Sequence, residues 1–329
     1  MRPYIDLHCD TVSVMEQKHL THIFPNQNTM VDIERLSEAK AALQVFAMWM
    51  MNDSLPENAE RLDIPCMITG EEQGEIQMKL FAETLEQYRE VLRPVRCYAD
   101  YEANRRDGVV SAMLSMEDGY VVRNLDNLRY YYERGVRLIT LTWNYENSIG
   151  YPNSAIPEVM RRPLKPFGRE VVSQMNRLGM LVDVSHLNEG GFYSVAETSV
   201  KPFVASHSCC MALAEHRRNL TDDQLRTVAE KGGVVGINFC PRFLTDDGKQ
   251  ESRLADIIRH IEHMRQVGGE DILAIGTDFD GVKGKLEIGC PADLDRMFDA
   301  LRDTYGYSEK LLDKLARENA ERVLKDVLG

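Results

Sequence analysis

A (β/α)8 TIM barrel with an additional C-terminal helix is the fold that this sequence predicts, and three observations carry the prediction. Eight strand-like apolar runs recur along the chain with helical periodicity between them. The runs are nearly continuous in Val, Ile and Leu, as expected of parallel strands covered on both faces. Three stretches too long for tight connections, residues 51–74, 149–168 and 241–252, each follow a run. In a barrel they rise from the C-terminal face, where loops wall and roof a pocket. An open, doubly wound sheet is the alternative that the same alternation permits.

The runs cover residues 4–7, 42–50, 109–116, 136–142, 180–185, 202–206, 234–239 and 272–276. Helices between them carry their own signals. Thr221 is placed as an N-cap with Gln224 three residues on, and the helix stops at Gly232. A last helix starts at Ser308 and sets Leu311, Leu312, Leu315, Val323 and Val327 on one stripe. Residues 71–92 are charge-rich at helical spacing and read as a solvated outer helix.

A chain of 329 residues, 43% hydrophobic, can bury one large core, so residues 1–329 are expected to form one barrel domain. The net charge of -13 argues against nucleic acid or an anionic membrane surface as partner and suits the binding of cations. Seven cysteines without a C-x-x-C read as reduced thiols. No charged-then-apolar leader stands before Tyr4, and no apolar run reaches the roughly 18 residues that a membrane span needs. A cytoplasmic protein is therefore expected.

Chemistry is concentrated at the ends of the runs. "YIDLHCDT" carries an apolar start into His8 and Asp10, which alternation sends to one face, with Cys9 on the other. Glu117 ends the third run, His186 the fifth, His207 the sixth, and Asp278 and Asp280 the eighth. In a barrel all of these meet at the C-terminal rim. Hydrophobic burial gives no reason for ionisable groups to cap five strands at the same end. Imidazole and carboxylate without thiolate suit Zn²⁺, with Mn²⁺, Co²⁺ and Fe²⁺ as alternatives. Five ligands exceed the three that a single catalytic zinc takes from protein and fit two ions bridged by one carboxylate.

The segments "DLHCDT", "SMEDG", "DVSH", "SHS", "RRNLTDDQL", "GGVVGINF" and "IGTDFDG" follow one another in order. Together they resemble the renal (membrane) dipeptidase family of the amidohydrolase superfamily. The resemblance implies a (β/α)8 barrel, two Zn²⁺ per chain, hydrolysis of dipeptides and a homodimer. It implies that His8 and Asp10 hold one zinc, that His186 and His207 hold the other, and that Glu117 bridges them. Asp278 would handle protons, and Arg218, the second Arg of "RRN", would bind the free carboxylate of the substrate. One position departs: where the family has a His after the fourth strand, thought to polarise the scissile carbonyl, this chain has Trp143. Trp143 is expected to wall the pocket as a substrate-binding residue. A metal, or another residue such as Asn144 or Glu146, would then cover the role of the missing donor, or activity on simple dipeptides would be weak.

The expected reaction is attack on a dipeptide by a hydroxide bridging two zinc ions, with Asp278 moving the proton. A C-terminal D-residue is within the range that the resemblance implies. The alternatives are a metal-dependent hydrolase of another amide, lactam or lactone, and a metal-loaded barrel that binds peptide without turnover. Among the remaining histidines, His22 can reach the pocket edge, and His216, His260 and His263 read as surface residues.

Overall fold

The computed structural model describes residues 1–21, 23, 28–51 and 69–329. Its strands are β1 (Tyr4–Cys9), β2 (Ala41–Trp49), β3 (Leu92–Pro94), β4 (Val110–Glu117), β5 (Val136–Thr140) and β6 (Leu181–Asp183). They continue with β7 (Val204–Ser208), β8 (Val234–Ile237), β9 (Glu251–Ser252), β10 (Leu273–Ile275) and β11 (Lys285–Leu286). Parallel pairing runs from β1 to β2, then β4, β5, β6, β7, β8 and β10, and returns from β10 to β1. The sheet is a closed eight-stranded barrel, and each of its strands overlaps one of the apolar runs.

Three short strands have no counterpart among the runs. β3 pairs with the first residues of β4, on the edge whose later residues pair with β5. β9 and β11 pair only with each other. Strands of two or three residues leave no alternation to read.

Register separates the two faces of the barrel wall. Ile5, Leu7, Leu43, Val45, Met113, Leu138, Leu181, Val204, Val234 and Ala274 form one buried apolar cluster on the inner face. Two positions further along the same strands come Ala47, Ser115, Thr140, Asp183, Ser206, Gly236 and Gly276, small or polar side chains on the same face. Beyond these lies the rim. The barrel therefore changes from hydrocarbon to hydrogen-bonding groups along its axis. Alternate residues such as Phe46, Met48, Leu114 and Met116 join the outer core under the helices.

The C-terminal segment corrects one expectation. Ser308 caps a helix over Glu309–Asp313, a π-helical turn follows at Lys314–Glu318, and an α-helix completes it over Asn319–Leu328. The π turn shifts the phase of the side chains. Leu311, Leu312 and Leu315 therefore pack in the outer core. Val323 and Val327 join the cluster of the inner barrel residues, not the same stripe. The other helix starts fit their signals: Thr221 and Gln224 form a capping box on Asp222–Glu230. The helix Gly70–Gln87 is solvated on one face only. Its Met78 and Phe81 are buried, and Gln77 Nε2 donates to Trp49 O at 2.8 Å.

Of the three long connections, most of 51–74 lies outside the described residues, as does Cys66. The others hold short helices at Pro157–Met160 and Pro241–Leu244. The six described cysteines are free. No helix among the described residues is long and apolar enough to cross a membrane.

Two glycines let the inner strands approach. A Cβ at Gly236 would lie 2.0 Å from Ser206 O, and one at Gly276 would lie 1.8 Å from the same atom. Neither contact can be relieved by a side-chain rotation. Gly236→Ala should destabilise the fold by at least the ~1–3 kcal/mol typical of overpacking. The check is urea unfolding: the midpoint falls while the slope stays constant.

Candidate functional site

The rim is built by strands that end in tight, strained backbone. β1 shifts register between Asp6 and Cys9. There the buried Asp6 accepts from His8 N at 3.2 Å, Thr277 N at 3.0 Å and Thr277 Oγ1 at 2.7 Å. This carboxylate ties the end of β1 to the turn after β10. Asp278 N donates to His8 O at 3.2 Å, and Asp10 N to Phe279 O at 2.9 Å. Past the strand ends, Asp118, His186, Asp278 and Asp280 have φ of 83°, 66°, 61° and 71°. Such left-handed conformations cost about 1–3 kcal/mol each and concentrate at functional sites. Here they belong to residues at, or next to, the converging side chains.

Those side chains meet above the barrel axis. His186 Nε2 lies 3.0 Å and His207 Nε2 3.4 Å from Glu117 Oε1, and the two Nε2 atoms are 3.2 Å apart. His8 Nε2 lies 3.8 Å from Glu117 Oε2, 3.4 Å from Asp10 Oδ2 and 4.0 Å from Asp278 Oδ1. His8, Glu117 and His207 form one group of potential ligand atoms within 4.8 Å of one another, and His8, Asp10 and Asp278 form a second. All three imidazoles and both acids expected as ligands are thus brought together. Asp278, expected as a proton carrier, stands among them. Cys9 packs in the outer core, away from the centre.

The donor set fits divalent metal ions. Among the described residues, both ring nitrogens of His8 are buried without a hydrogen-bond partner. Its Nε2 instead faces the three carboxylates at 3.4–4.0 Å, a range that leaves room for an ion between them. Gly281 also leaves room: a Cβ there would stand 2.1 Å from Asp10 Oδ2 and 2.4 Å from Asp278 Oδ1. His186 Nδ1 lies 3.1 Å from Asn144 Oδ1, and His207 Nδ1 2.7 Å from Ser206 Oγ. Each ring is held by one nitrogen, with the other directed at Glu117, as metal-binding imidazoles are.

Electrostatics favour cations here. Burial, then the mutual repulsion of the carboxylates, pushes Asp10 up to about 6 and Asp278 up to about 7. Burial likewise raises Glu117 to about 7, although His8 opposes it. Burial alone would depress His8, but Glu117, Asp10 and Asp278 outweigh it and raise the ring to about 10. Burial, with Arg218 and His8 nearby, holds His186 and His207 well below their usual range.

The remaining residues fall into place around this centre. Arg218 is buried and not a surface residue; Nη2 donates to His207 O at 3.0 Å and Nη1 to Ser208 Oγ at 3.4 Å. Its Nε has no partner among the described residues. Trp143 is half-buried, edge-on to Trp49 with ring centroids 5.0 Å apart and 6.2 Å from the His186 ring. Of the two substitutes for the missing donor, Asn144 touches His186, while Glu146 is exposed and pairs with Lys165 at 2.7 Å. Asp280 accepts from Thr11 Oγ1 at 2.7 Å and Met30 N at 2.6 Å, a structural role.

His260 corrects its surface assignment. It is fully buried, accepts from Cys210 N at 3.0 Å and bonds Leu244 O at 3.0 Å, so it joins the segment after β7 to the end of the helix Pro241–Leu244. His263 pairs with Asp222 at 2.7 Å. His22 lies outside the described residues. Sequence reasoning missed Asn238, whose Nδ2 donates to Asp278 Oδ2 at 2.8 Å. The available signal was an amide side chain near the end of an otherwise apolar run, residues 234–239.

Known proteins resemble this chain in sequence and in fold. A family model described as membrane dipeptidase (peptidase family M19) matches residues 1–328. An uncharacterized protein in the pqqA 5' region of Klebsiella pneumoniae is 40% identical over 239 residues, 70% of this chain and 86% of the relative. The crystal structure of an M19 metallopeptidase, dipeptidase AC, superposes with a TM-score of 0.85 at 29% identity, covering 99% of both chains. A metallopeptidase from Rhodobacter sphaeroides, solved with a phosphinate mimic of the dipeptide L-Ala-D-Ala, gives 0.85 at 28% identity, also over 99% of both chains.

Because His8, Glu117 and Asp278 hold protons that a cation would displace, metal binding should release protons in a pH-dependent way. At pH 8 His8 still carries a proton, and at pH 6 Glu117 and Asp278 do as well. Calorimetric Zn²⁺ titration in buffers of different ionisation enthalpy should show proton release at pH 8 and a larger release at pH 6. A release that does not change with pH would contradict the electrostatics described.

Proposed function

The chain belongs to the membrane dipeptidase family, and from that premise we propose that it hydrolyses dipeptides with two zinc ions held at the barrel rim. The observation that carries this reading is the convergence of His8, Asp10, Glu117, His186 and His207, with His8 Nδ1 buried without a hydrogen-bond partner and His8 Nε2 turned to carboxylates. His8 and Asp10 would hold one ion, His186 and His207 the other, and Glu117 would offer one oxygen to each side. Bound there, the ions supply a Lewis acid for the scissile carbonyl and a water acidic enough to act near neutral pH.

The protein's own groups do the rest. Asp278 Oδ2 is held by Asn238, which leaves Oδ1 facing the centre. That carboxylate can take the proton of the attacking water and return it to the leaving amine. Arg218 is the buried cation beside this centre, held by His207 O and Ser208 Oγ. It would anchor the substrate's C-terminal carboxylate by charge-assisted bonds. A longer peptide would run into it, which favours dipeptides. Trp143 and Trp49 provide an aromatic wall, and Asn144 both orients His186 and carries an amide that can face substrate.

Trp143 also favours a second reading, hydrolysis of another amide or lactam by the same centre. A Trp cannot supply the charged donor that a His would, and loss of one transition-state donor costs about 10²–10³ in rate. The phosphinate bound by the Rhodobacter sphaeroides relative supports including D-residues among the dipeptides.

Chelation should abolish hydrolysis of Xaa-Yaa dipeptides, and Zn²⁺ should restore it. Full turnover in metal-free protein would exclude the scheme. Asp278→Asn should lower kcat by the 10²–10⁴-fold typical of a lost acid–base group while metal content stays unchanged; loss of metal instead would make Asp278 a ligand. An L-L and L-D dipeptide panel beside a β-lactam separates the two readings, the second requiring the lactam to be the better substrate.

A further inference from the structure

Asp183 lies outside the converging set, fully buried on the inner face of β6, in register with Thr140 of β5 and Val204 of β7. Its two oxygens accept four hydrogen bonds. Oδ1 takes Ser185 N and Ser206 N, both at 2.9 Å, and Oδ2 takes Thr140 Oγ1 and Ser206 Oγ, both at 2.6 Å. An ionised carboxylate accepts and cannot donate. The single hydroxyl hydrogen of Ser206 is therefore committed to Asp183.

That commitment has a consequence 2.7 Å away, at His207 Nδ1. Toward the ring, Ser206 Oγ can act only as an acceptor. The hydrogen in that contact must come from Nδ1, so the neutral ring carries its proton there and keeps a lone pair on Nε2. Nε2 is the atom facing Glu117 Oε1 and His186 Nε2. We propose that Asp183 is a positioning residue that sets, through Ser206, the tautomer of His207 that a metal ion requires. The proposal rests on the reading of His207 as a metal ligand.

The isosteric replacement Asp183→Asn makes an unusual forecast. Backbone N–H groups of Ser185 and Ser206 hold the side-chain oxygen at the Oδ1 position. The new amide nitrogen must then take the Oδ2 position and donate to Thr140 and Ser206. Ser206 becomes an acceptor there, and its own hydrogen turns to His207 Nδ1. The ring is driven to carry its proton on Nε2, the wrong nitrogen for ligation. Ser206→Ala only removes the bias and leaves both tautomers accessible. The variant closer in shape to the native residue is thus the more harmful one, an order that a purely structural role does not produce.

The test uses ¹⁵N-histidine NMR on metal-free full-length protein, followed by Zn²⁺ titration against a competing chelator. The native ring of His207 should be protonated on Nδ1, that of Asp183→Asn on Nε2, and that of Ser206→Ala on a mixture. Zn²⁺ affinity for one of the two ions, the one held by His207, should fall about 10–100-fold in Asp183→Asn, as for other partners of ligating histidines, and less in Ser206→Ala. An Asp183→Asn protein with the native tautomer or with native Zn²⁺ affinity overturns the proposal. If Asp183→Asn does not fold by circular dichroism, Ser206→Ala decides: an unchanged tautomer overturns the proposal, and a mixed one with weakened Zn²⁺ binding supports it. Native protein that takes up no Zn²⁺ defeats the reading of the centre instead, while the NMR result still reports on the relay.

Discussion

Two imidazole nitrogens face each other at 3.2 Å, Nε2 of His186 and Nε2 of His207, with Glu117 Oε1 within 3.4 Å of both, and much of the molecule serves to hold that contact. His8, Asp10 and Asp278 crowd the other side of Glu117, where burial and mutual charge raise all three acids. Holding these groups at such range requires a stable scaffold around them.

The barrel supplies that stability in graded form along its axis. Inside one end, Leu43, Val45, Leu138, Leu181 and Val204 pack with Val323 and Val327 of the last helix as hydrocarbon. Next come Thr140, Asp183 and Ser206, joined by hydrogen bonds, beside Gly236 and Gly276, which let the strands close around Ser206. Only then come the strained rim and the reactive groups. Rigidity at the base and hydrogen-bonded hydroxyls in the middle position the imidazoles without exposing them to competing partners.

Much of this was legible in the sequence because it is periodic or positional. Parallel strands buried on both faces give continuous apolar runs, so all eight barrel strands could be located. A barrel also forces strand ends to one rim, so His8, Glu117, His186, His207 and Asp278 could be grouped without knowing a distance. What was not legible depends on geometry that sequence spacing does not encode. The π turn at Lys314–Glu318 moves Val323 and Val327 from one core to another without leaving a mark in the pattern. His260 is held by backbone groups distant in sequence, Cys210 N and Leu244 O. The burial of Arg218 depends on the turn after β7 folding over His207. Asp183 looked like one more residue of a strand, because the partners that matter to it come from β5 and β7.

The departure at Trp143 bears on substrate more than on the centre, since the residues around the converging ligands are complete without it. The most direct measurement is the metal content of protein purified without added metal, with the ligands located by anomalous diffraction. About two ions per chain are expected, one on each side of Glu117, as the number and type of ligands require. A single ion, or ions bound away from Glu117, would contradict the assignment of all five ligands to one bridged centre.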